Sequence, residues 1–467
     1  MNKILSDEER KLINEALKQG NHEVICEKIN VAKEKLPVDA YTFRAQCHLR
    51  CIEELRLAKQ AITAGDQHVF DDLLGQMLEN QLTWGDHIRR YVFDVTGESY
   101  WRSRLSWPEE EKFTVADISE DQLRDFILAD FEEHGMKDRG SIDPKITTSS
   151  LKKNLKRWFN SPVTAISRST CFLFCFGLNA DEAGAAYLLE ALREPPFNPR
   201  DYKEAIYYYC LCNKKQFSTV EEWLDKCDEM SSRVEINKTK YSDCVGYTKL
   251  LRTELDEIVL ATVSMKEKDA RFTAYLEDLL STPAVLKQSK TKASECRKIY
   301  GDFARMVSDR YCEWIDRGNE KQCYDEFEQC LKKCWTDHIQ ISDTLKSLID
   351  SKILKFPALT SSSLEKKIGT ERSSEIKRED ILTLVFLYCT SGESGTFRDH
   401  EGNTFEDIRS DYAKRKTRFL SMANTRLERC GFSDVYLLNP YELFLVSCLL
   451  QPDPMAYYLA SWKYSNR

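Results

Sequence analysis

Glycine and proline are both scarce in this chain, with 17 and 12 residues among 467. Proline is absent between Pro199 and Pro283, and again between Pro283 and Pro357. Because proline interrupts helical hydrogen bonding, such gaps favour long uninterrupted helices. The sequence also lacks Asn-Gly and Asp-Gly hairpin dipeptides and shows little sustained alternation of apolar and polar residues. These shortages predict an all-α protein.

Long apolar runs are missing as well. The best, Ile381 to Cys389, is nine residues long, whereas a membrane-spanning helix needs roughly 20. The first residues contain no apolar secretory region, and no targeting or lipidation motif is evident. We therefore expect no membrane association and a cytoplasmic location.

Familiar catalytic signatures are absent from the sequence. It contains no phosphate-cradling Gly-x-x-x-x-Gly-Lys, no Gly-x-Gly-x-x-Gly, no Gly-x-Ser-x-Gly and no His-Glu-x-x-His. The seven histidines are scattered. These absences favour a non-catalytic protein without a cofactor, and an enzyme with an unrecognised site remains an alternative.

Composition sets further bounds on the fold and on the partners. A length of 467 residues with 42% hydrophobic and 11% aromatic content predicts two to four packed domains. The net charge of −8 argues against a protein that coats nucleic acid over its whole surface, but it is compatible with a local basic face. Many of the 17 cysteines lie in apolar runs, as Cys171 and Cys175 do, which indicates reduced thiols that serve as small buried hydrophobes.

Helix signals divide the chain into four predicted regions. Ser119 and Gln122 have the spacing of a capping box and predict a helix start, and Tyr41 to Ala64 is a second predicted helix. Lys287 to Lys292 is the most loop-like stretch of the third region, and Ser391 to Asn403, with three glycines, predicts an exposed loop. The regions are an N-terminal helical region over 1–115, a first helical repeat over 116–230, a long-helix insertion or bundle over 231–355 and a second helical repeat over 356–467.

Comparison of the chain with itself reveals three pairs of landmarks in the same order. The pairs are Thr147–Leu155 with Thr360–Ile368, Ile166-Ser167-Arg168 with Ile376-Lys377-Arg378, and Asn198-Pro199 with Asn439-Pro440. Each landmark precedes or includes a helix-like segment, and Ser362 and Glu365 in the second copy fit a capping box. We interpret the landmarks as an internal duplication; the alternative is that capped helices look alike in any helical protein.

The first copy carries a resemblance to a known family. Its residues are Thr148-Ser149-Ser150-Leu151, then Ser167-Arg168-Ser169-Thr170, then Cys175 to Ala183. Over about 45 residues this sequence resembles the second half of a phage-repressor-type (Cro-like) helix-turn-helix domain, with a weaker echo near 358–390. The resemblance implies a recognition helix followed by two further helices. The family's first motif helix should lie just before Thr147, where Arg139–Lys145 does not match it.

A basic face is the main candidate binding feature. On a helix starting near Ser149, four cations fall on one side while Leu151, Leu155 and Trp158 turn inward. Such a face can meet phosphates; the alternative is an ordinary solvated helix surface. Lys145 and Arg168 flank these cations, and a second cluster lies in the second repeat. The predicted nucleic-acid-binding residues are Lys152, Lys153, Lys156, Arg157, Arg168, Lys414, Arg415 and Lys416.

Two further clusters receive structural interpretations. Cys323, Cys330, Cys334 and His338 are spaced seven, four and four residues apart and would share one helix face. Because one helix cannot wrap tetrahedrally around a metal, we interpret them as a buried seam and predict no metal site. The run Tyr207-Tyr208-Tyr209 points in several directions on a helix, which predicts burial on several sides rather than a platform for stacking bases.

Together these patterns predict an all-α fold with two repeated repressor-like helical units joined by a long-helix bundle. The favoured function is that of a non-catalytic regulatory or adaptor protein that acts through protein–protein interaction. The alternative is a DNA-binding transcriptional regulator with a divergent helix-turn-helix. A protein partner is therefore expected, DNA is a second possible partner, and the oligomeric state is left open.

Overall fold

A computed structural model describes most of the chain, and all of its described regular elements are helical. The described residues are 40–79, 82–136, 148–160, 166–233, 247–281, 288–307, 324–325, 328, 331, 339–368, 376–390 and 412–466. They form 19 α-helices and one 3₁₀ turn, and no strand occurs among them. The all-α prediction is confirmed.

The described helices range from 8 to 25 residues in length. In chain order they are α1 (Ala40–Ala64), α2 (Gln67–Glu79), α3 (Trp84–Thr96), α4 (Glu98–Leu105), α5 (Glu120–Glu133), α6 (Thr148–Asn160), α7 (Arg168–Gly177), α8 (Glu182–Ala191), α9 (Tyr202–Cys212), α10 (Phe217–Arg233), α11 (Tyr247–Leu260), α12 (Met265–Ser281), α13 (Gln288–Val307), α14 (Asp343–Asp350), α15 (Ser361–Ile368), α16 (Arg378–Thr390), α17 (Tyr412–Arg429), α18 (Pro440–Cys448) and α19 (Pro454–Ser465).

The chain divides into two compact units that differ from the four predicted regions. Among the described residues, the first unit takes those within Ala40–Arg56, Leu82–Glu194 and Lys214–Ser218, and the second takes those within Leu57–Glu79, Pro195–Asn213 and Thr219–Asn466. Helices α3 to α8 lie in the first unit, and α1 and α10 have residues in both. The predicted boundary at 115 falls inside the first unit. The predicted repeat 116–230 is divided, because α9 packs with α11 and α12 of the second unit.

The core of the first unit is an aromatic cluster contributed by four helices. The ring of Phe174 on α7 lies 5.8 Å from that of Trp84 on α3, and 5.3 Å from those of both Phe131 on α5 and Trp158 on α6. Gly177 makes room for this cluster, since a Cβ atom there would lie 2.2 Å from Phe131 Cε2. The four rings fix α3, α5 and α6 around α7.

The core of the second unit is built around two helices that are buried on nearly every side. All residues of α18, and all of α16 except Glu379, are buried. Phe386 of α16 packs on Tyr458 of α19 at 5.3 Å between ring centroids. The nine-residue apolar run noted in the sequence is therefore a core helix, as expected.

Local helix signals in the sequence give a mixed result. The Ser119–Gln122 capping box is confirmed, with Gln122 N donating to Ser119 Oγ at 3.3 Å and Ser119 N donating to Gln122 Oε1 at 2.9 Å. Helix α1 confirms the predicted helix from Tyr41. The loop predicted at 287–292 is wrong over 288–292, which begin α13. That stretch contains no glycine or proline, and its lysine and glutamine residues have good helix propensity.

The two copies of the proposed duplication each place a helix at every landmark. Arg168 and Arg378 are the first residues of α7 and α16. The capping box at Ser362 is wrong, because α15 already begins at Ser361 and the Thr360 carbonyl accepts the Leu364 N–H at 3.0 Å. The run of hydroxyl residues there offers several alternative starts, and the helix uses an earlier one. The duplication itself stays a prediction.

Several predicted features lie outside the described residues. They are Lys145, the predicted loop Ser391–Asn403, the segment before Thr147 and the cluster Cys323, Cys330, Cys334 and His338.

Candidate nucleic-acid interface

Helix α6 separates its apolar and basic residues onto opposite sides. Leu151, Leu155 and Trp158 are 3%, 0% and 2% exposed. The four cations of the helix, which the sequence placed on the other side, are all exposed. We call these four, Lys152, Lys153, Lys156 and Arg157, the α6 basic face. The helix and the direction of its two sides are thus as the sequence predicted.

Two helices support α6 from within the first unit. Gly85 on α3 brings the two backbones together, because a Cβ atom there would lie 2.6 Å from the Trp158 carbonyl oxygen and 2.9 Å from the Phe159 ring. A backbone oxygen cannot rotate away as a side chain can, so this contact requires glycine. Helix α5 packs along the other flank and contributes Phe131 to the shared aromatic core. The packing of α3 and α5 therefore holds in place the helix that carries the α6 basic face.

The charge arrangement on α6 is unfavourable for the helix itself. Lys152 and Lys156 are four residues apart, as are Lys153 and Arg157, and like charges at this spacing destabilise a helix by about 0.2–0.5 kcal/mol per pair. The helix contains no acidic residue to offset them. A solvated surface of mixed charge would avoid these costs, so the pattern favours a role in binding an anion.

Arg168 is not part of the α6 basic face. It begins α7, and its Nη1 lies 3.6 Å from Glu194 Oε2. Its guanidinium carbon also lies 5.4 Å from the centroid of the Phe172 ring. With a side chain 21% exposed, Arg168 is engaged within its own unit.

The second predicted basic cluster does not form an open surface. Lys414 is exposed, but Arg415 is only 6% exposed. Lys416 is half-buried and donates to the carbonyl of Ile62 at 3.1 Å, which Tyr412 Oη also approaches at 3.0 Å. Arg415 lies on the buried side of α17, so the three adjacent cations do not share one solvent-facing surface. Arg415 is thus an interior side chain, and Lys416 contacts the backbone near the end of α1.

The tyrosine run behaves as the sequence predicted. Tyr207, Tyr208 and Tyr209 are all buried in α9. Tyr208 Oη donates to Asp256 at 2.7 Å, and Tyr209 Oη donates to Asp269 at 2.6 Å. Burial, and then the Asp269 carboxylate, raise the pKa of Tyr209. These hydrogen bonds join α9 to α11 and α12.

The first unit also contains a buried polar cluster that the sequence did not predict. His87 is 4% exposed, and its Nδ1 lies 3.2 Å from Tyr187 Oη. Glu54 is 2% exposed and accepts a hydrogen bond from Arg193 Nη1 at 2.6 Å. Burial, reinforced by nearby arginines, lowers the pKa of His87 to about 4. The partners are about 100 residues or more apart in sequence, so no local pattern could reveal them.

Other kinds of site find little support in the described part of the chain. No group of three or more histidine, cysteine, aspartate or glutamate residues there is placed to hold a metal ion. Ten of the cysteines in the described segments lie outside any disulfide, and nine of these ten are buried, as the sequence predicted for small buried hydrophobes. Among the described helices, none combines the length and apolar character needed to cross a membrane.

Comparison of the chain with protein-family models, curated proteins and solved structures finds no match.

Proposed function

We propose that the protein acts by binding and that the α6 basic face binds the phosphate backbone of nucleic acid, with duplex DNA as the first candidate. The observation that supports this is the exposure of all four cations on one fixed helix that has no acid. Lysine and arginine side chains supply most contacts to phosphate oxygens in such complexes. The resemblance to phage-repressor-type domains points to the same helix, since α6 occupies the position of the family's recognition helix.

The overall acidity of the chain shapes how such binding would behave. A net charge of −8 repels nucleic acid at long range, and salt screens that repulsion as well as the local attraction. Contacts at α6 replace condensed counterions on the phosphates, so the association constant falls as salt rises. Binding should therefore be local to α6 and strongest at low salt.

A charge-reversal experiment tests this proposal. We expect the intact chain to bind random duplex DNA at low salt and Lys152→Glu/Lys153→Glu to weaken it at least roughly tenfold, since two phosphate contacts become repulsive. The measurement is fluorescence anisotropy with a labelled duplex. The control is Lys112→Glu/Lys266→Glu, which changes the net charge equally at two exposed lysines outside α6. Absence of binding by the intact chain, or equal losses in both variants, would contradict the proposal.

A second candidate function, that of a protein-interaction adaptor, is favoured by a different surface. Among described residues, five large hydrophobic side chains are exposed, and three of them lie between 250 and 265. They are Leu250, Leu260 and Met265, at 56%, 63% and 43% exposure. Single exposed apolar residues are ordinary, whereas contiguous exposed apolar patches are typical of surfaces that bind proteins; these three side chains are neighbours along the sequence. This surface belongs to α11 and the start of α12.

The adaptor function makes its own prediction. The Leu250→Asp/Leu260→Asp variant is expected not to capture the proteins that the tagged intact chain captures from its native extract. Its thermal stability should change little, because both side chains are exposed. Capture followed by mass spectrometry measures this. Val95→Asp is the matched control, since Val95 is 54% exposed on the first unit. An unchanged set of captured proteins in the Leu250/Leu260 variant would count against this surface.

A further inference from the structure

The imidazole of His87 lies in a buried site that already holds several arginines. It belongs to α3, and its neighbours come from three other segments as well as from α3 itself. The charged and titratable groups that act on it are Arg50 from α1, Asp86 and Arg90 from α3, Tyr187 from α8, and Arg193 just after α8. Glu54 from α1 pairs with two of these arginines, Arg193 and Arg50.

The negative charges near His87 are committed to other partners. Glu54 accepts from Arg193 at 2.6 Å and lies 3.9 Å from Arg50 Nε. Asp86 closes the capping box of α3, accepting from the Thr83 N–H at 3.2 Å and from its hydroxyl at 2.7 Å. A protonated His87 would therefore add a further cation to a buried site, with no carboxylate reserved for it.

Helix α3 connects this site to the α6 basic face. Gly85, two residues before His87, contacts the α6 backbone at Trp158 and Phe159. Trp84 shares the aromatic core with Trp158, through Phe174. A change that loosens α3 at His87 removes support directly beneath α6.

We propose that His87 is an acid-sensitive switch, which takes up a proton from solvent at mildly acidic pH, loosens α3 and releases nucleic acid from the α6 basic face. This inference rests on the proposed function for its second half, the release of nucleic acid. Its first half, the acid-driven loosening of α3 and α6, stands on the geometry of the first unit alone.

The direction of the effect follows from proton binding in the two states. In an opened state His87 titrates near its ordinary pKa of 6.5, whereas burial in the closed state lowers that pKa to about 4. Between these values the open state binds more protons, so the closed state loses stability as pH falls from 6.5 towards 4. Between pH 7.5 and pH 5.0 the opening equilibrium should shift about 30-fold toward the open state.

Hydrogen exchange tests the switch without any ligand. Protection factors of α3 and α6 amides, corrected for the intrinsic effect of pH, are compared at pH 7.5 and pH 5.0. When the pH is lowered from 7.5 to 5.0, these protection factors are expected to fall in the intact chain by up to about 30-fold more than they fall in His87→Gln. His68→Gln, at an exposed histidine of α2, should behave like the intact chain. His87→Phe keeps a ring without a titrating group and replaces His87→Gln if the latter does not fold.

Binding of labelled duplex DNA at the same two pH values tests the release. Acidification lowers the negative charge of the protein and would by itself strengthen DNA binding. A loss of DNA binding at pH 5.0 that occurs in the intact chain but not in His87→Gln therefore supports the switch. Equal falls in protection for the intact chain and the His87 variants would overturn it. If no DNA binds even at pH 7.5, the proposed function fails, and the exchange data decide the switch alone.

Discussion

Replacing all four cations of the α6 basic face with glutamine is expected to flatten the salt dependence of nucleic-acid binding. Each phosphate neutralised on duplex DNA contributes about 0.9 to the slope of log association constant against log salt, so the slope should fall by about 3.6. Between roughly 50 and 200 mM salt these four contacts account for about a 150-fold change in affinity. Titrations at several salt concentrations measure the difference directly.

The structure indicates that this variant keeps its fold. The four side chains are exposed, while Leu151, Leu155 and Trp158 hold α6 from its other side. Removing two like-charged pairs should stabilise the helix by a few tenths of a kcal/mol. A melting temperature equal to or slightly above that of the intact chain is therefore expected, which separates loss of binding from loss of folding.

The matched control for this experiment neutralises four exposed lysines elsewhere. Glutamine replacement of Lys59, Lys112, Lys203 and Lys266 changes the net charge by the same amount. We expect this control to leave most of the salt slope intact. If it flattens the slope as much as the α6 variant does, binding depends on overall charge and the assignment of α6 is wrong.

The α6 basic face could be predicted from sequence because its geometry is local. A single period of 3.6 residues decides which side chains share a side of one helix. The second cluster required more, since only the packing of α17 shows that Arg415 is buried and that Lys416 reaches the carbonyl of Ile62. Composition marks cations as surface residues in general, but it does not say which face of a particular helix is covered.

Contacts between distant segments escaped prediction for the same reason. The cluster of His87, Glu54 and Arg193 joins three segments, and each residue alone is unremarkable in its local sequence. The predicted first repeat was divided because the tyrosines of α9 bond to Asp256 and Asp269, 48 and 60 residues away. Helix starts and amphipathic faces are local properties, whereas the choice of packing partner is a property of the whole chain.

A buried ion pair in the second unit leads to the largest expected change in stability. Arg378 at the start of α16 donates from Nε to Glu442 Oε1 at 2.5 Å and from Nη2 to Oε2 at 2.9 Å. The same guanidinium donates to the carbonyls of Ser433 and Asp434, and the Tyr436 N–H donates to Glu442 at 2.6 Å. The side chains are 10% and 1% exposed, so the pair and its backbone partners join α16, α18 and the segment between α17 and α18.

Glu442→Ala is expected to lower the free energy of unfolding by about 3–5 kcal/mol, because it leaves the Arg378 charge buried without its counter-charge. Urea denaturation measures the change. Arg378→Met/Glu442→Leu should recover part of the loss, since removing both charges leaves apolar groups of similar volume. Recovery should stay incomplete, because the Ser433 and Asp434 carbonyls and the Tyr436 N–H lose their partners. Glu267→Ala breaks the ion pair with Arg271, which has a separation of 2.6 Å and side chains that are both 50% exposed, and it should change the free energy of unfolding little. If Glu442→Ala lowers the free energy of unfolding as little as Glu267→Ala does, water reaches the Arg378 guanidinium and the prediction is wrong.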